Sequence, residues 1–389
     1  MSATSARGYA CGVQTVWTDE EDAARAVAAV AGALDLAQVG QIMAFFSPTL
    51  RAAELASSFD RLCPDIPVAG CSTAGQISPG GFTDGGLVAV AFPKRGFQIV
   101  SQVLTHVHHL TVERGAEAVR DLRAQLDRVS GGPGLNRFAL CFIDGLSNCE
   151  EMIVSALGWA LNGIPLVGGS AGDDLRLAGT TLLHNGQTYS GAALLLLVET
   201  DNPIRTFKHD NFDPTSKKLV VTASNSEERT VRELNAETAA LEYAAAAGVD
   251  YQGLTPMSFA AHPVVVRIGG DYYCRSIQKV NADGSLTFFC AIDDGVVLTV
   301  ARARDMVASV ETELARIDGD VGGIDLVLGF ECVLRRLDAE TRQIKGCVCD
   351  VYMENNIVGF HTYGEQFNGM HLNQTLTGVA IGRGRRRAH

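Results

Sequence analysis

The sequence predicts an α/β fold: duplicated strand–helix–strand units with mixed β-sheets flanked by helices, in two domains. Two observations carry it. An apolar strand, an amphipathic helix and a Gly-rich loop follow one another, and the same order returns about a hundred residues later. A fainter echo lies near the C-terminus.

In the first unit, residues 41–46 and 86–92 are apolar runs bounded by loop chemistry, so each reads as a strand. Between them Leu50, Ala53, Leu55, Phe59 and Leu62 recur at helical spacing. The loop that follows is Ile66-Pro67-Val68-Ala69-Gly70-Cys71-Ser72-Thr73-Ala74-Gly75. In the second unit, 138–143 reads as a strand and 149–161 as a helix. Ile164-Pro165-Leu166-Val167-Gly168-Gly169-Ser170-Ala171-Gly172 then repeats the loop, and 191–198 is the returning strand. In the third, 325–330 and 376–381 read as strands. Residues 357–365 echo 68–76, with Gly359, Thr362 and Gly364 falling on Gly70, Thr73 and Gly75.

Between the second and third units the pattern turns β-rich. Residues 218–223 and 264–268 read as strands, and 272–280 and 286–291 as a hairpin closed by Asn281-Ala282-Asp283-Gly284. Residues 236–247 read as a helix stopped by Gly248. Asp201-Asn202-Pro203 and Asp213-Pro214-Thr215 interrupt the pattern. The expected division is 35–225 and 226–382.

Composition narrows the function. A net charge of −12 over 389 residues argues against nucleic acid as the main partner and against attraction to an anionic membrane. The run Arg383, Arg385, Arg386, Arg387 reads as a solvated tail. Apolar runs are too short to span a bilayer. Ten cysteines show no disulfide framework, and the start of the chain shows no secretion signal. The expectation is a cytoplasmic protein with reduced thiols.

The glycine loops admit two readings. They let backbone approach a ligand in a crevice between the repeats, or they close a densely packed sheet. Catalysis finds little support. Ser72 lies in Gly-Cys-Ser-Thr-Ala-Gly, one residue off the nucleophile-elbow spacing, and neither Ser72 nor Cys71 has an assignable base. The expectation is no enzyme.

The segment Gly70-Cys71-Ser72-Thr73-Ala74-Gly75 resembles the N-terminal FIST domain. Asp283-Gly284-Ser285-Leu286, Leu326 to Cys332, Gly359 to Gln366 and His371 to Gly378 resemble the C-terminal FIST domain in order and separation. The resemblance covers about residues 35–382. It implies a sensory input module of bacterial signal transduction. Within the family the chain looks similar to stand-alone nitric-oxide-sensing proteins that bind haem b through a histidine and control a partner histidine kinase by protein contact. A diatomic gas would then be the signal. A homodimer is compatible with this reading. The alternative is a FIST module that binds a small metabolite such as an amino acid.

A haem requires an axial ligand, apolar walls and groups for its propionates. His262 ranks first as iron ligand, because Pro263 holds it extended before an apolar strand, with Met257 and Phe259 nearby in sequence. His209, among aromatic residues and Lys208, ranks second; His371 and His361, within the C-terminal motif, follow. Arg335 and Arg336, beside Glu331 and Cys332, could meet propionates or lower the pKa of the thiol. Each histidine also reads as an ordinary structural residue. His106, His108 and His109 read as a solvated strand end, and His184 and His389 as exposed. Cys63-Pro64 is a dipeptide that recurs by chance. Cys347 and Cys349 would share a face if extended.

Overall fold

The computed structural model describes residues 3–132 and 134–383. Arg385, Arg386, Arg387 and His389 lie outside the described residues.

Three mixed sheets surround one apolar centre, and helices cover their outer faces. Each unit pairs its first strand in parallel with the strand after the helix: Val39–Phe46 with Val68–Ser72, Asn136–Ile143 with Leu166–Ser170, Ile324–Cys332 with Ile357–Thr362. The returning strands Leu87–Pro93, Ala192–Thr200 and Leu376–Gly382 pair antiparallel on the other side. The weak third echo is therefore a full third unit.

Strand register explains the shared glycines. Gly70 lies beside Ala44, Gly168 beside Cys141 and Gly359 beside Gly329. A Cβ on Gly70 or Gly168 would stand 1.9 Å from the carbonyl oxygen of that neighbour. Close approach of parallel backbones, rather than a ligand, requires glycine there.

The units also exchange hairpins in a ring. Leu182–His184 of the second unit pairs with Val68–Ser72 of the first. Glu365–Phe367 of the third pairs with Leu166–Ser170 of the second. Gln76–Ser78 of the first pairs with Ile357–Thr362 of the third. At the centre Phe45, Phe142 and Phe330 occupy equivalent positions, and Phe360 completes the cluster with centroid separations of 4.8 to 5.9 Å to each of them. Each such pair adds about 0.5–1.5 kcal/mol beyond its buried area. Phe360 fits because its equivalent in the second unit is Gly169, where a Cβ would reach the Phe360 ring at 3.1 Å.

Residues 212–303 form a separate layer, an eight-stranded sheet into which the strand Phe212–Asn225 leads. Ala239–Ala247 packs on it, ended by Gly248 in the left-handed region. The hairpin at 281–284 is present, between Ile277–Val280 and Leu286–Phe288. The strand before it is broken at Ser276, however, and Asp271–Arg275 pairs instead with Val264–Ile268. Lys345–Glu354 is a helix, so Cys347 and Cys349 point about 200° apart rather than sharing a strand face. Two N-terminal strands, Thr4–Gly8 and Gln14–Thr18, extend the first sheet, outside any sequence pattern identified above. No helix among the described residues is long and apolar enough to cross a membrane.

Candidate functional site

The glycine loops do not form a crevice between the repeats. Their ends close on one another through backbone hydrogen bonds: Gly172 N to Ser72 O, Ser170 N to Gly364 O, Tyr363 N to Ser170 O, Ala74 N to His361 O. Ser72 Oγ accepts from Thr181 N at 3.0 Å. Cys71 is wholly buried, and burial pushes its thiol well above the ordinary value. Neither residue is set up as a nucleophile.

Just beside these loops, where the core meets the eight-stranded layer, lies a cleft of about 350 Å³. That volume is at the small end of ligand pockets. Gly145, Leu146, Asn148 and Glu150 come from the second unit, Tyr363 from the third, and Glu228, Arg229, Gln278, Lys279, Phe288 and Phe289 from the β-rich layer. The wall is therefore shared by two structural bodies.

Arg229 ties them together. Its Nη2 sits 2.6 Å from Glu150 and 2.7 Å from Glu151, at the first turn of the helix Glu150–Leu161, and its Nη1 donates to Phe289 O at 2.8 Å. Burial works to raise the Glu151 carboxyl, but His371, Arg229 and the Ala291 N–H together hold it below the ordinary value. One side of the cleft is a tight loop. Asp173 accepts from Leu177 N, Ala178 N and Gly179 N and from the Tyr363 hydroxyl. Asp174, Leu175 and Leu177 all have positive φ, an uncommon conformation that concentrates at functional sites.

The residues singled out for haem do not converge. His262 caps the helix Pro256–Ala261 and is half-buried. Its backbone is fixed by Ser258 O on one side and the Tyr243 hydroxyl on the other. Phe259 is turned into the core of the β-rich layer, 5.6 Å from the Tyr243 ring. His209 is bonded through Nε2 to Ser309 Oγ at 2.9 Å. His361 is 0 % exposed, its ring edge-on to Phe82 at 4.6 Å. His371 is packed against Gly364, where a Cβ would meet its ring at 2.2 Å. Arg335 is wholly buried. It donates to Glu331 and Asn211, and Tyr352 donates to the same Glu331 oxygen. A guanidinium so engaged is not offered to propionates. Nor does it activate Cys332, whose thiol burial pushes well up. None of the four clefts lined by residues 59–67, 145–150, 155–162 and 21–25 has a histidine in its wall. In this conformation the set does not fit a haem.

His108 Nδ1 lies 3.2 Å from Cys149 Sγ, a pairing that a separation of 41 positions hid from the sequence. Burial first, then Glu150, raises that thiol, so the contact does not produce a thiolate. No cluster of three or more metal-ligating side chains occurs among the described residues. Arg229 was also missed, and Glu150 and Glu151 read only as carboxylates near the loops with no assignable partner, because only the tertiary fold joins a residue of the β-rich layer to a helix start 79 positions earlier.

The buried titratable groups predict a stability maximum near pH 6.5. Burial, then Arg335, holds His209 down to about 3, and burial also lowers His361 and His371. The unfolded chain takes up protons on these groups below 6.5 and the folded chain does not, so stability falls with acid. Glu365 acts in the opposite sense. Burial pushes its carboxyl up to about 8, against the hydrogen bonds from Thr362 and Thr375. Its contribution is fully present below its ordinary value and is lost as pH rises through about 8. Melting temperature measured from pH 5 to 9 should rise to about 6.5 and then decline. In Glu365→Gln the decline between pH 6.5 and 8 should disappear, while the buried thiols, raised by burial, still lower stability towards pH 9.

The fold and the cleft thus define an α/β protein of two bodies with a ligand-sized space where they meet. The FIST N domain matches residues 41–237 and the FIST C domain matches residues 239–368. The chain belongs to the FIST family, whose domains are sensory modules of signal transduction. No curated protein matches the chain.

Proposed function

We propose that this FIST protein senses a small polar metabolite, with an amino acid as the type case, in the cleft between the three-unit core and the β-rich layer. The observation that carries the reading is that both bodies contribute walls to one cleft and are joined across it by Arg229. A ligand there contacts both and biases their packing, which is what a sensor requires. The helix that begins at Glu150 carries Trp159 on its outer face, 85 % exposed. Exposed tryptophans are typical anchors of protein contacts, and signalling through a partner protein such as a histidine kinase would suit that surface. The ten free thiols support a reducing, cytoplasmic setting.

A thermal-shift panel of the twenty amino acids tests this. At least one should raise the melting temperature by several degrees. Gln278→Trp should fill the cleft from the strand Ile277–Val280, keep the fold and abolish the shift. A panel without any shift would remove the reading.

The other reading, haem b sensing nitric oxide, rests on the family resemblance and on His262, which alone of the four candidate histidines is neither fully buried nor engaged by a ring hydrogen bond among the described residues. Haem would supply the gas-binding iron, and holding it at His262 would require a pocket that this conformation does not form. Protein expressed with haem precursor decides the matter. A Soret band that His262→Ala removes would put haem first, and colourless protein that takes up no haem would exclude it.

A further inference from the structure

We infer that the junction cleft recognises the ammonium group of its ligand, with Glu150 as counter-ion. The inference rests on the cleft reading above and names the chemistry of the part that enters first.

Charge at the cleft floor does not balance. Two carboxylates, Glu150 and Glu151, share a single guanidinium, and both bonds come from the same nitrogen of Arg229. The second nitrogen is spent on Phe289 O. Glu151 is further satisfied by Ala291 N at 3.0 Å. Glu150 has only the Arg229 contact among the described residues, and it lines the cleft. One negative charge is left facing that space.

A second observation comes from behind the floor. His371 is 3 % exposed, lies in the field of both Glu151 and Glu150, and its Nε2 has no hydrogen-bond partner among the described residues. Asn373 Nδ2, at the same junction, is also buried and has no hydrogen-bond partner among the described residues. Buried polar atoms of this kind are few in native proteins and call for a partner.

The walls suit an organic cation. Phe289 and Tyr363 line the cleft together with Glu150, and aromatic rings attract ammonium groups. At the rim Lys279 offers the complementary charge for a carboxylate. An amino acid would then enter with its amino group inward and its acid outward. A simple carboxylate without an amine would meet Glu150 unfavourably.

Calorimetric titration with free amino acids, their N-acetyl counterparts, ethanolamine and putrescine tests the assignment. The free amines should bind and the acetylated compounds should not. Glu150→Gln retains an oxygen for Arg229 and should weaken amine binding at least tenfold, whereas Glu227→Gln, exposed and outside the cleft lining, should change it less than threefold. If Glu150→Gln lowers the melting temperature by more than a few degrees, the acetyl comparison on the wild type decides alone. Equal binding of acetylated compounds, or undiminished binding to Glu150→Gln, overturns the ammonium assignment. The cleft reading survives either result if Gln278→Trp still abolishes binding. No binding by any probe overturns both.

Discussion

Gly168→Ala should destabilise the protein by more than about 4 kcal/mol, a loss of the size reserved for disrupted cores. The Cβ would stand 1.9 Å from Cys141 O, and Cys141 is a rigid backbone partner in the parallel ladder, so the two strands must part by more than an ångström. Parting them also opens the packing of Leu140 and Phe142 at the shared centre. Gly70→Ala should behave in the same way, because the equivalent contact with Ala44 O is equally short. Gly319→Ala is the opposite control. Gly319 lies inside the helix Met306–Val321 with nothing near its missing Cβ, so the change should stabilise by up to about 1 kcal/mol. Urea unfolding midpoints and soluble yield measure all three.

Arg335→Leu should cost about 3–5 kcal/mol, the range for removing one partner of a buried ion pair. The change leaves Glu331 in a dry interior in contact with the Tyr352 hydroxyl and the His361 ring, with Arg336 as the remaining nearby cation. Arg335→Leu combined with Glu331→Gln should recover a large part of the loss, since no uncompensated charge is then left behind. Urea unfolding of ligand-free protein separates this role from cofactor binding. An arginine kept for propionates would leave the stability of colourless protein unchanged.

Much of the core was legible because its elements are long and strictly patterned. The strands at 41–46, 138–143 and 325–330 and the helix at 150–161 lie where apolar periodicity places them. The third unit was legible only as three residues in register, Gly359, Thr362 and Gly364. Its register holds because the parallel crossing at Gly359 and the loop that follows obey the same backbone constraint as in the other units. The exchanged hairpins were not legible. Gln76–Ser78 and Glu365–Phe367 are three residues long, too short for a period of two, and their partners lie in other units. Cys347-Val348-Cys349 misled for a related reason: its local pattern is compatible with a strand, and packing of Val348, Val351 and Tyr352 into the core makes it helical.

The candidate site was less legible than the fold. His262, His209, His371 and His361 were chosen for their residue type and loop context, and the fold scatters or encloses them. Glu150 and Arg229 carry no motif. Their pairing arises because the β-rich layer folds back over the start of the helix Glu150–Leu161, a contact between residues 79 positions apart. Glycine loops suggested a ligand crevice, and their glycines instead serve strand crossing and loop closure.

Hydrogen exchange, measured by mass spectrometry with and without a compound that raises the melting temperature, tests the central claim most directly. Protection confined to residues 145–151, 228–230 and 277–291 is the predicted result. Protection centred on residues 256–263 and 333–342, with those three segments unchanged, would contradict it and move the ligand to the face that carries His262.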